Sequence, residues 1–260
     1  MNLLKNKIIK KFKENVFWLF LIELLCLSLT SVIGFFGYKE IQSRLDLINT
    51  YGPRLGELAN KLQSQNLAIS DVMEISNQLT SIETSTEVLR LMIIIVPLAV
   101  FLVYSFFQSI SWYAISKDKF DIKKLIERKY FFGFFSISFP YFLALYLIWI
   151  FLFKILSLNA FLLASILTTL ILLYFLFVSY GILHQYRSVF ICIKKGLSIG
   201  FNNVGKFLPI MLGFLILFFL IFTLGTFSSS IAVYIALGVI LLLVWIMFKI
   251  ILTEKLRDFI

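Results

Sequence analysis

The chain has 260 residues, of which 60% are hydrophobic and only 15% charged, with a formal net charge of +10. Soluble domains run near about 45–50% apolar and about 25% charged, so this composition, with a mean hydropathy of +0.96, excludes a soluble enzyme, a disordered chain and a secreted disulfide scaffold. The basic excess belongs to membrane-facing loops and anionic headgroups, and no basic stretch is long enough to form a nucleic-acid module.

Residues 1–15 read as a cytoplasmic basic amphipathic helix, with Leu4, Ile8 and Phe12 on one face and lysines opposite. The apolar run 16–36 follows. It is longer than the roughly 7–15 residues of a signal-peptide core, and Leu25 precedes Cys26 where a lipoprotein signal would need a small residue. It reads as an uncleaved first span. Residues 37–87 are the one long polar stretch, rich in acids and free of cysteine. Ile41, Leu45 and Ile48 keep helical spacing until Thr50–Pro53 (TYGP), where proline predicts a break. Leu55, Leu58 and Leu62 resume the pattern. Ile75, Leu79, Ile82, Thr86 and Leu89 then alternate spacings of four and three, an a/d seam. The stretch is expected to be an extracytoplasmic helical hairpin that continues the first two spans. Its seam either pairs the two arms or docks a protein partner or a second copy through residues 38–90.

The second span is 88–113, followed by a basic in-plane helix at 114–129, a third span at 130–153 and a fourth at 155–183. A second basic in-plane segment fills 184–206. Residues 207–248 are uncharged over about 63 Å of helical rise, twice a bilayer core, so they fold back at Thr226–Ser230. That gives spans at 207–225 and 231–248 and a cytoplasmic tail at 249–260. The fold class is all-α, a polytopic six-span transmembrane bundle. With both termini inside, 18 of the 24 lysines and arginines fall on the cytoplasmic side, a positive-inside bias that fits a cell-membrane protein, and the richness in Lys, Ile and Phe suggests a low-GC prokaryote.

Glu23 is the only acid inside a predicted span. A carboxylate there is expensive in hydrocarbon unless it pairs, protonates or faces the bundle interior. It serves proton coupling or a polar cargo, or it closes a helix–helix contact with His184 or Arg187. Gln108, with Ser105, Ser109 and Ser111, makes the end of span two polar, as helix packing or a polar pathway requires. His184 is the sole histidine and sits at headgroup level. Cys26 and Cys192 belong to no CxxC or Cys/His cluster, so neither a metal nor a cofactor is expected. Lys5, Lys7, Lys10, Lys11, Lys123, Lys124, Lys194 and Lys195 are the expected contacts to an anionic inner leaflet. Gly196 and Gly200 form a GxxxG in a connection rather than a span, where it carries no packing meaning. Ile122–Lys124 and Ile193–Lys195 repeat one fragment, which fits an internal duplication of span, basic helix and span.

GxxxxGK[ST], HExxH and GxSxG are all missing, as are paired intramembrane aspartates. The chain is therefore read as a non-enzymatic scaffold or accessory subunit. In layout it resembles the six-span permease subunit of export-type ABC transporters, with a basic N-terminal helix and a long first outer loop. Its segment FICIKKGLSIGFNNVGKFL is similar to basic aromatic inner loops of uncharacterised prokaryotic multi-span proteins. The permease resemblance implies, as the alternative, an apolar or lipid-like cargo driven by a separate cytoplasmic ATPase.

Overall fold

A computed structural model describes residues 2–63, 69–116, 128–183, 188–226, 230–257 and 259. All the regular structure among them is helical. The helices are α1 (Asn2–Gln63), α2 (Ile69–Ser116), α3 (Arg128–Ile155), α4 (Leu158–Ile182), α5 (Val189–Asn202), α6 (Val204–Thr226) and α7 (Ile231–Arg257). Six of them, all but α5, are long and apolar enough to cross a membrane. The protein is a multi-pass helical membrane protein. Hydrocarbon offers no partner for a bare amide, and a helix satisfies every backbone group within its own segment. Hydroxyls in the apolar helices follow the same logic. Thr168, Thr169 and Thr223 each donate to the carbonyl four residues earlier, at 2.6–2.7 Å.

Two compact units divide the chain: residues 1–26 with 105–260, and residues 27–104. The second is larger than the predicted hairpin at both ends. Within it, α1 runs through Pro53 without the expected break. Proline normally forces its predecessor out of the helix partly through that residue's Cβ. Gly52 has none, so the penalty reduces to the lost hydrogen bond and ring clash, about 3 kcal/mol in a helix interior. The long helix on either side absorbs it.

The seam of α2 also differs from its sequence reading. Ile75, Ile82 and Leu89 are partly buried, but Leu79 is 49% exposed, and Gln78 and Ser85 are buried in its place. The inner stripe follows spacings of three and four, not four and three, which turns the intermediate positions by about 100°. The Gln78 amide donates locally to Glu74 Oε1 at 2.9 Å, while its buried Oε1 has no hydrogen-bond partner among the described residues. Close approach favours small residues at this interface. At Gly37, an added Cβ would lie 2.7 Å from Val96 Cγ2. Gly37→Ala is therefore expected to destabilise this unit by about 1–3 kcal/mol, as overpacking does. Val96→Ala in the same chain should restore most of the loss. Thermal unfolding of the two variants checks this, and an unchanged Gly37→Ala melting temperature would refute it.

The first unit is held by rings. Phe134 stacks on Tyr180 with centroids 4.1 Å apart, and Phe214 on Phe248 at 4.7 Å. Trp112, Phe177 and Leu252 complete this core, while Leu19, Ile115, Ile246 and Ile250 make a smaller one. Lipid tails are as apolar as these side chains, so dispersion and interhelical hydrogen bonds hold the helices together. Ser138 and Tyr180 share such a bond at 2.7 Å.

Two expectations fail in this unit. Residues 249–257 are no free tail: they are the last turns of α7, with Ile250, Leu252, Thr253, Glu254 and Leu256 buried. Gly181 on α4 makes room for them, since a Cβ there would lie 2.3 Å from Leu256 Cδ1. The GxxxG of α5 is also a packing motif after all. Cys192, Gly196 and Gly200 form one buried face. A Cβ on Gly196 would lie 2.3 Å from Ser179 Oγ and 3.1 Å from Ser179 Cα, and one on Gly200 would lie 3.0 Å from the Phe175 ring.

Candidate functional site

The polar residues of α1 are not scattered. Lys11, Asn15, Leu19, Glu23 and Cys26 are all buried and recur at intervals of four, four, four and three. They form one inward stripe of a 3.6-residue helix. Its Glu23 meets side chains from α2 and α7.

Glu23 is 4% exposed and Lys249 is fully buried, and the two form an ion pair. Gln108 Nε2 donates to Glu23 Oε2 at 2.8 Å, Trp245 Nε1 to the same oxygen at 3.0 Å, and Ser111 Oγ to Glu23 Oε1 at 2.5 Å. The ammonium of Lys249 gives its remaining protons to Gln108 Oε1 at 2.5 Å and Ser111 Oγ at 3.0 Å. Its Nζ lies 4.9 Å from the Trp245 ring centroid and 5.6 Å from that of Trp112, a cation–π setting. Every proton on the ammonium has an acceptor, and the carboxylate receives four donors. Gln108 and Ser111 each touch both charges. A buried pair is tolerated when geometry and extra hydrogen bonds offset desolvation, and this one is net neutral and saturated.

A second charged cluster sits where α2 ends. Lys11 pairs with Glu254 at 2.7 Å and donates to Ile115 O at 2.8 Å. Arg257 contacts Glu254 at 3.2 Å and donates to Ser116 O at 2.5 Å. The last turn of α2 has no basic residue of its own, and its final carbonyls carry orphan acceptors and partial negative charge. Lysine from α1 and arginine from α7 supply both the hydrogen bonds and the charge.

Of the residues singled out from sequence, Glu23 and Gln108 come together. The expected partners of Glu23, His184 and Arg187, lie outside the described residues, as do Lys123 and Lys124. The partner found is Lys249, which the sequence reading had placed in a tail. One signal pointed to it: Ile250, Ile251 and Leu252 follow Lys249, an apolar triplet that a solvated tail has no use for. Lys11 is 4% exposed and held by Glu254, so it is no headgroup contact, because the α1 stripe turns it inward. Lys5 and Lys7 lie on α1, Lys10 is exposed there, and Lys194 and Lys195 are exposed on α5. The seam residues Ile75, Leu79, Ile82 and Leu89 belong to the other unit. Among the described residues no group of three His, Cys, Asp or Glu could hold a metal. Comparison with family models, characterised proteins and solved structures finds no match to this chain.

Proposed function

We propose that the protein is a non-enzymatic scaffold or accessory subunit of the cell membrane, with both termini cytoplasmic, that docks a protein partner through the polar stretch between its first two spans. The observation that carries this is the outward edge of α2. Val72, Met73 and Leu79 are exposed apolar side chains within a segment that also bears Asp71, Glu74 and Glu83. Exposed apolar residues rimmed by charge are the composition of a protein-contact surface. The membrane charges support the same reading. Glu23 and Lys249 satisfy each other, which suits a rigid bundle better than a polar conduit.

Photocrosslinking amino acids at Met73 and Leu79, activated in native membranes, test this. The expected result is one discrete stoichiometric adduct, to an envelope protein or a second copy, that Leu79→Glu abolishes. The alternative is a permease subunit for an apolar or lipid-like cargo, favoured by the exposed Lys194 and Lys195 of α5, which suit a coupling helix. An ATP-binding subunit co-purifying in stoichiometric amount, with no adduct at Met73 or Leu79, would establish that alternative and overturn the first reading.

A further inference from the structure

Helix α5 has two unlike faces. Cys192, Gly196 and Gly200 press it against α4, and Cys192 Sγ donates to Ser179 O at 3.3 Å. Tyr174 OH from α4 donates to Gly200 O at 2.8 Å. The helix is therefore fixed in rotation, and its other face is fixed with it. Phe190 and Phe201 are 76% and 66% exposed. At 100° per residue they fall within about 40° of Lys194, on a face turned by about 80–160° from the two glycines. Ile191 and Lys195, also exposed, flank them on one side.

The charge on the helices from α3 to α6 is of one sign. From Arg128 to Thr253 the sequence contains no aspartate or glutamate, while Lys194 and Lys195 lie on α5 and Lys206 at the start of α6. No acid from α3, α4 or α6 exists to neutralise it. Large aromatic rings beside lysines, with no acid on α3, α4, α5 or α6, complement a surface that is apolar below and anionic above. An anionic leaflet has that profile. Phe201 already leans on Phe175 of α4, with centroids 4.6 Å apart, whereas an acidic protein segment would match the lysines but leave Phe190, 76% exposed, without an apolar bed.

We propose that the outward face of α5 is a binding surface for anionic phospholipid, with Phe190 and Phe201 among the acyl chains and Lys194 and Lys195 on the headgroup phosphates. The surface is preset by the glycine packing, so the helix is a fixed lipid platform rather than one that partitions freely. This does not depend on the docking role of the α1–α2 stretch.

The test uses the full-length protein in nanodiscs of phosphatidylcholine containing a trace of photoreactive phospholipid, either phosphatidylglycerol or phosphatidylcholine, with adducts mapped by peptide mass spectrometry. The phosphatidylglycerol probe is expected to label the α5 peptide well above the phosphatidylcholine probe. Lys194→Gln with Lys195→Gln should reduce that preference by roughly 25-fold, since each surface lysine contributes about five-fold. Lys154→Gln, an exposed lysine at the end of α3, should leave it unchanged. Both lysines of α5 point away from the core, so these variants keep the fold, and their melting temperatures verify it. Equal labelling by the two probes would overturn the proposal, as would unchanged selectivity in the double variant. An acidic protein crosslinking to position 201 in native membranes, with no lipid preference in nanodiscs, would replace lipid with protein as the occupant.

Discussion

Lys249→Met is expected to destabilise the bundle by about 3–5 kcal/mol, the usual loss when one member of a buried ion pair is removed. The physical cause is what stays behind. Glu23 keeps its carboxylate at 4% exposure, with Gln108, Ser111 and Trp245 still donating to it but no positive charge beside it. Glu23→Gln should be as harmful in the opposite sense, leaving an ammonium between two tryptophan rings. The double variant Glu23→Gln with Lys249→Met carries neither stranded charge, and buried pairs replaced by neutral groups of similar volume are often no less stable than the original. It should recover most of the loss. Unfolding in mixed micelles, read as a double-mutant cycle, checks this. Single variants within about 0.5 kcal/mol of the parent would show that the pair adds nothing, and a double variant as poor as the sum of the singles would show that the two charges act independently.

Gly196→Val is expected to lift α5 off α4. The new side chain starts 2.3 Å from Ser179 Oγ and 3.1 Å from Ser179 Cα, and a backbone atom cannot rotate away as a flexible side-chain end can. The sensitive readout is Cys192, fully buried on the same face. Burial pushes its thiol up to about 12, so at pH 8 only roughly one molecule in ten thousand carries the reactive thiolate, against about a quarter for an ordinary cysteine. In a Cys26→Ala background, maleimide labelling of Cys192 should be negligible in the parent and rise with pH toward 12. In Gly196→Val it should be at least about 100-fold faster at pH 8, because the thiol regains both water and an ordinary pKa. Gly205→Ala is the control: nothing lies within 4 Å of a Cβ there, and labelling should stay negligible. A slow-labelling Gly196→Val would mean that α5 accommodates the side chain and that its glycines are dispensable.

Much of this architecture was legible in the sequence, because hydrocarbon imposes a simple rule of length and polarity. Five of the six apolar helices announce themselves as uncharged runs, and Glu23 stands out as the only acid inside the apolar run of the other, 16–36. What stayed hidden depends on rotation and tertiary distance rather than composition. Lys249 ends an uncharged run, so counting stops there, yet α7 continues for two more turns and directs the lysine inward. Leu79 and Gln78 differ by one position, and only the approach of the neighbouring helix decides which is buried. TYGP looked like a break because the tolerance lent by Gly52 is a property of the pair, not of proline alone. The same holds for Gly196 and Gly200, whose meaning depends on Ser179 and Phe175 being opposite.

The ion pair joins residues 226 positions apart, which sets an order of events during synthesis. At about 5–20 residues per second, the ribosome reaches Lys249 some 11–45 seconds after Glu23 has been made. Through that interval the first helix holds a carboxylate whose cation does not yet exist. Gln108 and Ser111 arrive much sooner, on the second helix, and offer it an interim shelter of neutral hydrogen bonds. A nascent chain cut short before α7 therefore carries an acid in its first helix whose buried cation was never made.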